Sequence, residues 1–99
     1  MVHADKNNFK TEIASGEVLV DFWAPWCGPC QMMTEVLEEL EQKLPQIKIV
    51  KVNVDDEPQL AIEHGISSIP AFLLFKDGEL KSQTLGYMPL EQLKSRLGL

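Results

Sequence analysis

Nowhere in the 99 residues is there a run of roughly 20 apolar side chains, the length a membrane-spanning helix needs. The opening stretch, Met1-Val2-His3-Ala4-Asp5-Lys6-Asn7-Asn8, lacks the apolar segment of a secretory leader, which points to a cytoplasmic, reducing compartment. Basic side chains are the minority. Nine Lys and Arg against fifteen Asp and Glu leave a net charge of −6, which argues against nucleic acid or an anionic membrane as partner. Much of the acid (Glu35, Glu38, Glu39, Glu41) reads as the solvated face of a helix. No repeat, low-complexity tract or linker interrupts the chain, and its 44% hydrophobic content suits one core and one domain over residues 1–99. His3 and His64 are far apart, without metal-ligand spacing to the cysteines, and read as surface or cap residues; no metal is expected.

Cysteine is scarce too, and its placement is informative. The only two, Cys27 and Cys30, lie within Trp23-Ala24-Pro25-Trp26-Cys27-Gly28-Pro29-Cys30. A structural staple joins distant segments, whereas so short a loop stabilises by only about 2 kcal/mol on the chain-entropy model. Redox chemistry is the better reason for the pair. Zinc uses the same spacing but takes four ligands, so this pair would need a second copy of the chain.

Val18 to Trp23 is an apolar run of strand length. After Cys30, Met33, Val36, Leu37, Leu40 and Leu44 recur at helical spacing, with Met32 and Met33 read as core packers. Pro29 suits a first helical turn. The cysteines therefore stand at a helix N-terminus, where unpaired N–H groups and the macrodipole favour a thiolate. Cys27 is expected to be exposed and acidified, and Cys30, inside the first turn, more covered.

Elsewhere strands and helices alternate. Ile47 to Val54 is apolar on both faces, as in a central strand covered by helices on both sides. Asp55-Asp56-Glu57-Pro58 opens a helix that stops at His64-Gly65. Residues 71–76 and 79–85 flank Asp77-Gly78, a hairpin signal, and Leu90, Leu93 and Leu97 mark a closing helix behind Pro89. An edge strand near 2–4 and a helix over 7–14 complete the order β-α-β-α-β-α-β-β-α. The fold class is α/β, with a mixed sheet of about five strands and helices on both faces.

Three features sit awkwardly for packing alone. Asp21 interrupts an apolar strand, either as a strand-end carboxylate reaching solvent or as a buried acid whose pKa burial raises. Lys51 shares an apolar strand face, either snorkelling to solvent or pairing with an acid. Ile69-Pro70 precedes a strand, where a trans bond is the ordinary outcome.

Trp26-Cys27-Gly28-Pro29-Cys30 resembles the active site of the thioredoxin family. The resemblance extends from about residue 9 to 97 through Val20-Asp21-Phe22-Trp23-Ala24, Lys51-Val52-Asn53-Val54-Asp55, Gly65-Ile66-Ser67-Ser68-Ile69-Pro70, Phe75-Lys76-Asp77-Gly78 and Gly86. It implies the thioredoxin fold, with strand order 1-3-2-4-5. It implies that Asp21 is buried and assists proton transfer at Cys30, that Lys51 is its charge partner, and that Ile69-Pro70 is cis, offering the Ile69 backbone to an extended substrate. Trp26, Gly28, Pro29, Ile69, Pro70 and Gly86 would form an apolar docking surface around Cys27. The implied activity is protein-disulfide reduction by a monomer, with Cys27 as nucleophile and Cys30 resolving. No bound cofactor is implied beyond the reversible Cys27–Cys30 disulfide, with electrons from NADPH through a flavin-containing thioredoxin reductase. Alternatives are a thioredoxin-like protein with one dedicated partner and a redox-independent binding module. Two positions depart from the family: Gln31 stands where a basic residue is frequent, and Glu35 where a proline usually kinks the helix.

Overall fold

In a computed structural model, which describes residues 1–99, the elements in chain order are β1 (Val2–His3), α1 (Phe9–Glu12), β2 (Glu17–Trp23), α2 (Gly28–Lys43), β3 (Lys48–Asn53), α3 (Pro58–Glu63), β4 (Ala71–Lys76), β5 (Glu79–Leu85) and α4 (Leu90–Leu97). The strands form one sheet in the order β1-β3-β2-β4-β5. β3 runs parallel to both β1 and β2, and β4 runs antiparallel to both β2 and β5. This is the expected thioredoxin order.

β2 is central because its side chains are apolar on both faces. Val18, Leu19, Val20 and Phe22 are all fully buried. Val18, Val20 and Phe22 join one core layer with Phe9 of α1, Ile13 at its end, and Leu60 and Ala61 of α3. Leu19 joins the other, with Met33, Val36, Leu37 and Leu40 of α2 and Leu90, Leu93 and Leu97 of α4. Each such side chain contributes about 1.5–3 kcal/mol on leaving water, which explains why the sheet is sandwiched by helices on both sides.

The hairpin follows its turn chemistry. Asp77 (φ 50°) and Gly78 (φ 84°) both adopt left-handed backbone, as a two-residue type I′ turn requires. The Asp77 carboxylate also accepts from the Gly16 N–H at 2.8 Å, tying the hairpin to the start of β2.

Several expectations need correction. α1 is one turn, shorter than residues 7–14, because the Asp5 carboxylate takes the N–H groups of Asn7 (2.8 Å) and Asn8 (3.1 Å) in a side-chain turn before the helix. β1 ends at His3 rather than residue 4. Met32 is no core packer: it is 57% exposed, one step round α2 from the stripe that Met33 belongs to. His64, by contrast, takes the second of its two expected readings, the cap. It ends α3, its Nδ1 lies 2.9 Å from the Leu60 carbonyl oxygen, and its ring packs 4.9 Å from Phe9. α2 passes through Glu35 without a break.

Candidate redox site

The loop from Ala24 to Cys27 turns the end of β2 into the start of α2. Cys27 is the N-cap residue: its N–H donates to the Ala24 carbonyl (3.1 Å), and its sulfur accepts from the Cys30 N–H (3.2 Å). Its sulfur thus takes the place of the oxygen that caps most helices and sits at the positive end of a 16-residue helix. Cys27 and Cys30 are joined in a disulfide, with Cα atoms 5.2 Å apart.

The expected contrast in exposure is absent in this oxidised state: Cys27 is 5% and Cys30 4% exposed. Each sulfur covers the other, and both pack with Ala24 against Trp23, Val54 and Ile69. The difference between the cysteines lies in their hydrogen bonding, since Cys27 receives a helix N–H.

Distant segments converge on this loop. The Ile69-Pro70 bond is cis, and the Ile69 carbonyl oxygen lies 3.9 Å from Cys27 Sγ. Gly86, left-handed at φ 88°, donates its N–H to the Pro70 carbonyl at 2.8 Å, which places the end of β5 beside the proline. Gly28 and Pro29 occupy the exposed first turn of α2. Trp26 is 70% exposed, yet its indole N–H is held by the Asp55 carboxylate at 3.0 Å. Between Trp26 and Ile69 lies a hollow of about 180 Å³, bordered also by Val54, Ala61 and Ile66. Sequence reasoning missed Asp55, which reads only as part of an acidic helix opening; nothing local links it to an indole 29 positions away.

Asp21 and Lys51 are direct neighbours in the register of β2 and β3. Asp21 is 1% exposed; its Oδ2 lies 3.9 Å from Lys51 Nζ, and its Oδ1 has no hydrogen-bond partner. Burial pushes its carboxyl up to about 7, against the pull of the Lys51 charge. Lys51 Nζ also stands 4.7 Å from the centre of the Trp23 ring. Both residues border a polar hollow of about 420 Å³, with His3, Asp5, Asp56 and Glu57 at its walls, which gives Lys51 its path to solvent.

The largest hollow, about 770 Å³ between α1 and α3, shares no residue with the disulfide site. No cluster of three or more His, Cys, Asp or Glu residues could hold a metal ion. No helix is long and apolar enough to cross a membrane.

A disulfide closed over two residues at a helix N-terminus, with the Ile69 carbonyl beside it, defines a thiol-disulfide oxidoreductase. The thioredoxin family profile matches residues 1–98. The chain is 46% identical over 95 residues to the thioredoxin of Bacillus subtilis (strain 168), covering 95% of this chain and 91% of that one. It is 49% identical over 86 residues to the thioredoxin of Chlamydia caviae, covering 87% of this chain and 84% of that one. A solved structure from work on thiol resolution in yeast mitochondrial 1-Cys peroxiredoxin via glutathione/thioredoxin systems superposes with a TM-score of 0.90 at 33% identity, covering 100% of this chain and 95% of that one. This chain belongs to the thioredoxin family, and its activity is protein-disulfide reduction.

Proposed function

We propose that residues 1–99 act as a single, monomeric thioredoxin domain in a reducing cytoplasm, cycling between the disulfide seen here and a Cys27/Cys30 dithiol. The observation that carries this reading is the disulfide at the α2 N-terminus, with the Ile69 carbonyl 3.9 Å from Cys27 Sγ. In the reduced protein, Cys27 thiolate attacks one sulfur of a substrate disulfide. That bond breaks, the other substrate sulfur leaves as a thiolate, and a Cys27–substrate disulfide forms. Cys30 then gives up its proton and attacks Cys27 Sγ, so the second substrate thiolate leaves and Cys27–Cys30 closes. Two electrons pass from protein to substrate.

In this reading Asp21 takes the Cys30 proton, a role supported by its burial and by an Oδ1 with no hydrogen-bond partner. A carboxyl with a pKa of about 7 exchanges protons near neutrality, where an ordinary aspartate stays ionised. Lys51 limits that upward shift by its charge. The hollow between Trp26 and Ile69, together with Gly28, Pro29, Pro70 and Gly86, receives an extended segment around the substrate cystine. Electrons return from NADPH through a thioredoxin reductase.

The test is reduction of insulin disulfides by the wild-type chain, coupled to NADPH and a thioredoxin reductase. Turnover that disappears in Cys27→Ser is expected. Binding of partner proteins that survives removal of both cysteines, with no turnover by the intact chain, would assign the surface to a redox-independent module instead.

A further inference from the structure

The Pro25 carbonyl, one residue before Trp26, receives no backbone N–H, although its neighbour Ala24 is bonded by the Cys27 N–H. Gln31 supplies the missing donor: its side-chain Nε2 donates to the Pro25 oxygen at 2.8 Å. The Gln31 backbone N–H meanwhile donates to the Cys27 carbonyl at 3.1 Å. One residue therefore grips the redox loop on both sides of Trp26, from inside the regular part of α2. From this geometry we infer that Gln31 is a positioning residue for Cys27, bracing the Pro25–Cys27 loop so that the Cys27 sulfur stays on the Cys30 N–H.

The chemistry follows from what a thiolate needs at that place. The N–H that Cys27 Sγ accepts in the disulfide would, kept in the reduced protein, stabilise its thiolate, and that hydrogen bond depends on where the loop holds the sulfur. A side-chain amide braces without adding charge. Lysine could reach the same carbonyl and would add a cation near the thiolate; methionine matches the length of glutamine but cannot donate. Bracing and charge are thus separable by substitution. Gln31 is solvent-exposed, so neither change disturbs the core.

This inference rests on the disulfide-reductase reading, and the experiment keeps the two apart. Wild type, Gln31→Met and Gln31→Lys are compared by three measurements. These are the pH profile of thiolate absorbance in the reduced protein, redox equilibrium with glutathione, and the second-order rate of reduction of a model peptide disulfide. For Gln31→Met a raised Cys27 pKa is expected, with a rate at neutral pH lower by about three- to tenfold, the weight of one hydrogen bond. For Gln31→Lys a lowered Cys27 pKa is expected, with the rate at or above wild type. Circular dichroism should stay the same across the three, and the urea midpoint of Gln31→Met should fall by no more than the loss of one hydrogen bond. If Gln31→Met matches wild type in pKa, glutathione equilibrium and rate, the brace has no part in the chemistry and the inference is overturned. Failure of the wild type itself to reduce the peptide would overturn the underlying reading instead.

Discussion

Asp21 carries the largest electrostatic burden on any side chain of this protein. Its folded pKa of about 7 stands above the ordinary 3.8, so the native state binds the proton more tightly than the unfolded chain. The burden is absent below the unfolded pKa, grows as pH rises, and is complete above the folded pKa, where it amounts to about 4 kcal/mol. Asp21→Asn should therefore raise stability by up to that amount at pH 8 and leave it nearly unchanged at pH 4, as measured by urea unfolding across pH. The same variant should slow the second thiol step in single-turnover reduction, since an amide cannot take the Cys30 proton. An Asn variant that is less stable at pH 8 would show that the carboxylate is well solvated in the native state. The cysteines allow a companion test: iodoacetamide should label Cys27 of the reduced protein well before Cys30, because Cys27 alone caps the helix and receives its N–H. Peptide mass mapping that finds Cys30 modified first would reverse their roles. The Asp21 anomaly was legible in the sequence as a charge inside an apolar run. The Asp55–Trp26 and Gln31–Pro25 hydrogen bonds were not, since each depends on a loop path that no periodicity encodes.

Among the elements, α2 bears the most, because it carries the cysteines at one end and four buried side chains of a core layer along its length. Leu37 is fully buried between the sheet and α4, with Met33 and Leu40 beside it on the same stripe. Leu37→Ala should cost about 2–5 kcal/mol in urea or thermal unfolding, from lost burial plus the cavity left behind. The Cys27 pKa should hardly move, since the helix N-terminus lies more than two turns away. A large pKa change with little loss of stability would mean that α2 shifts as a rigid rod. Elements of this kind were readable because a stripe at helical spacing and a doubly apolar strand have few alternatives; α2, α4 and the hairpin bounds of β4 and β5 came out as expected. α1 was overextended. Its apolar residues, Phe9 and Ile13, look helical at any length, and only the side-chain turn at Asp5 decides where the helix begins. At the other end of α3, Gly65 (φ 67°) releases the chain toward Ile69-Pro70. Gly65→Ala, though no atom crowds its position, should cost about 1–2 kcal/mol through left-handed backbone strain.

At the scale of the whole molecule, charge and size act together. The radius of gyration is 12.1 Å and the net charge is −6. At about 0.01 M salt the Debye length, about 30 Å, exceeds the radius of the molecule, so an approaching substrate feels the summed charge. At about 1 M it falls to about 3 Å and only contacts matter. The exposed residues of the redox loop and the first turn of α2 are Pro25, Trp26, Gly28, Pro29 and Gln31, none of them a cation to offset this field, and the Asp55 carboxylate stands against Trp26. A peptide disulfide flanked by lysines should therefore be reduced faster than its glutamate-flanked twin at low salt, by roughly tenfold or more, through electrostatically assisted encounter. The two rates should converge to within about twofold near 1 M salt, where screening removes the long-range term. Stopped-flow reduction of the two peptides across that range measures the effect. A preference that persists at high salt would locate the discrimination in direct contacts at the Trp26–Ile69 hollow, and equal rates at low salt would show that the net charge of the chain does not reach the site.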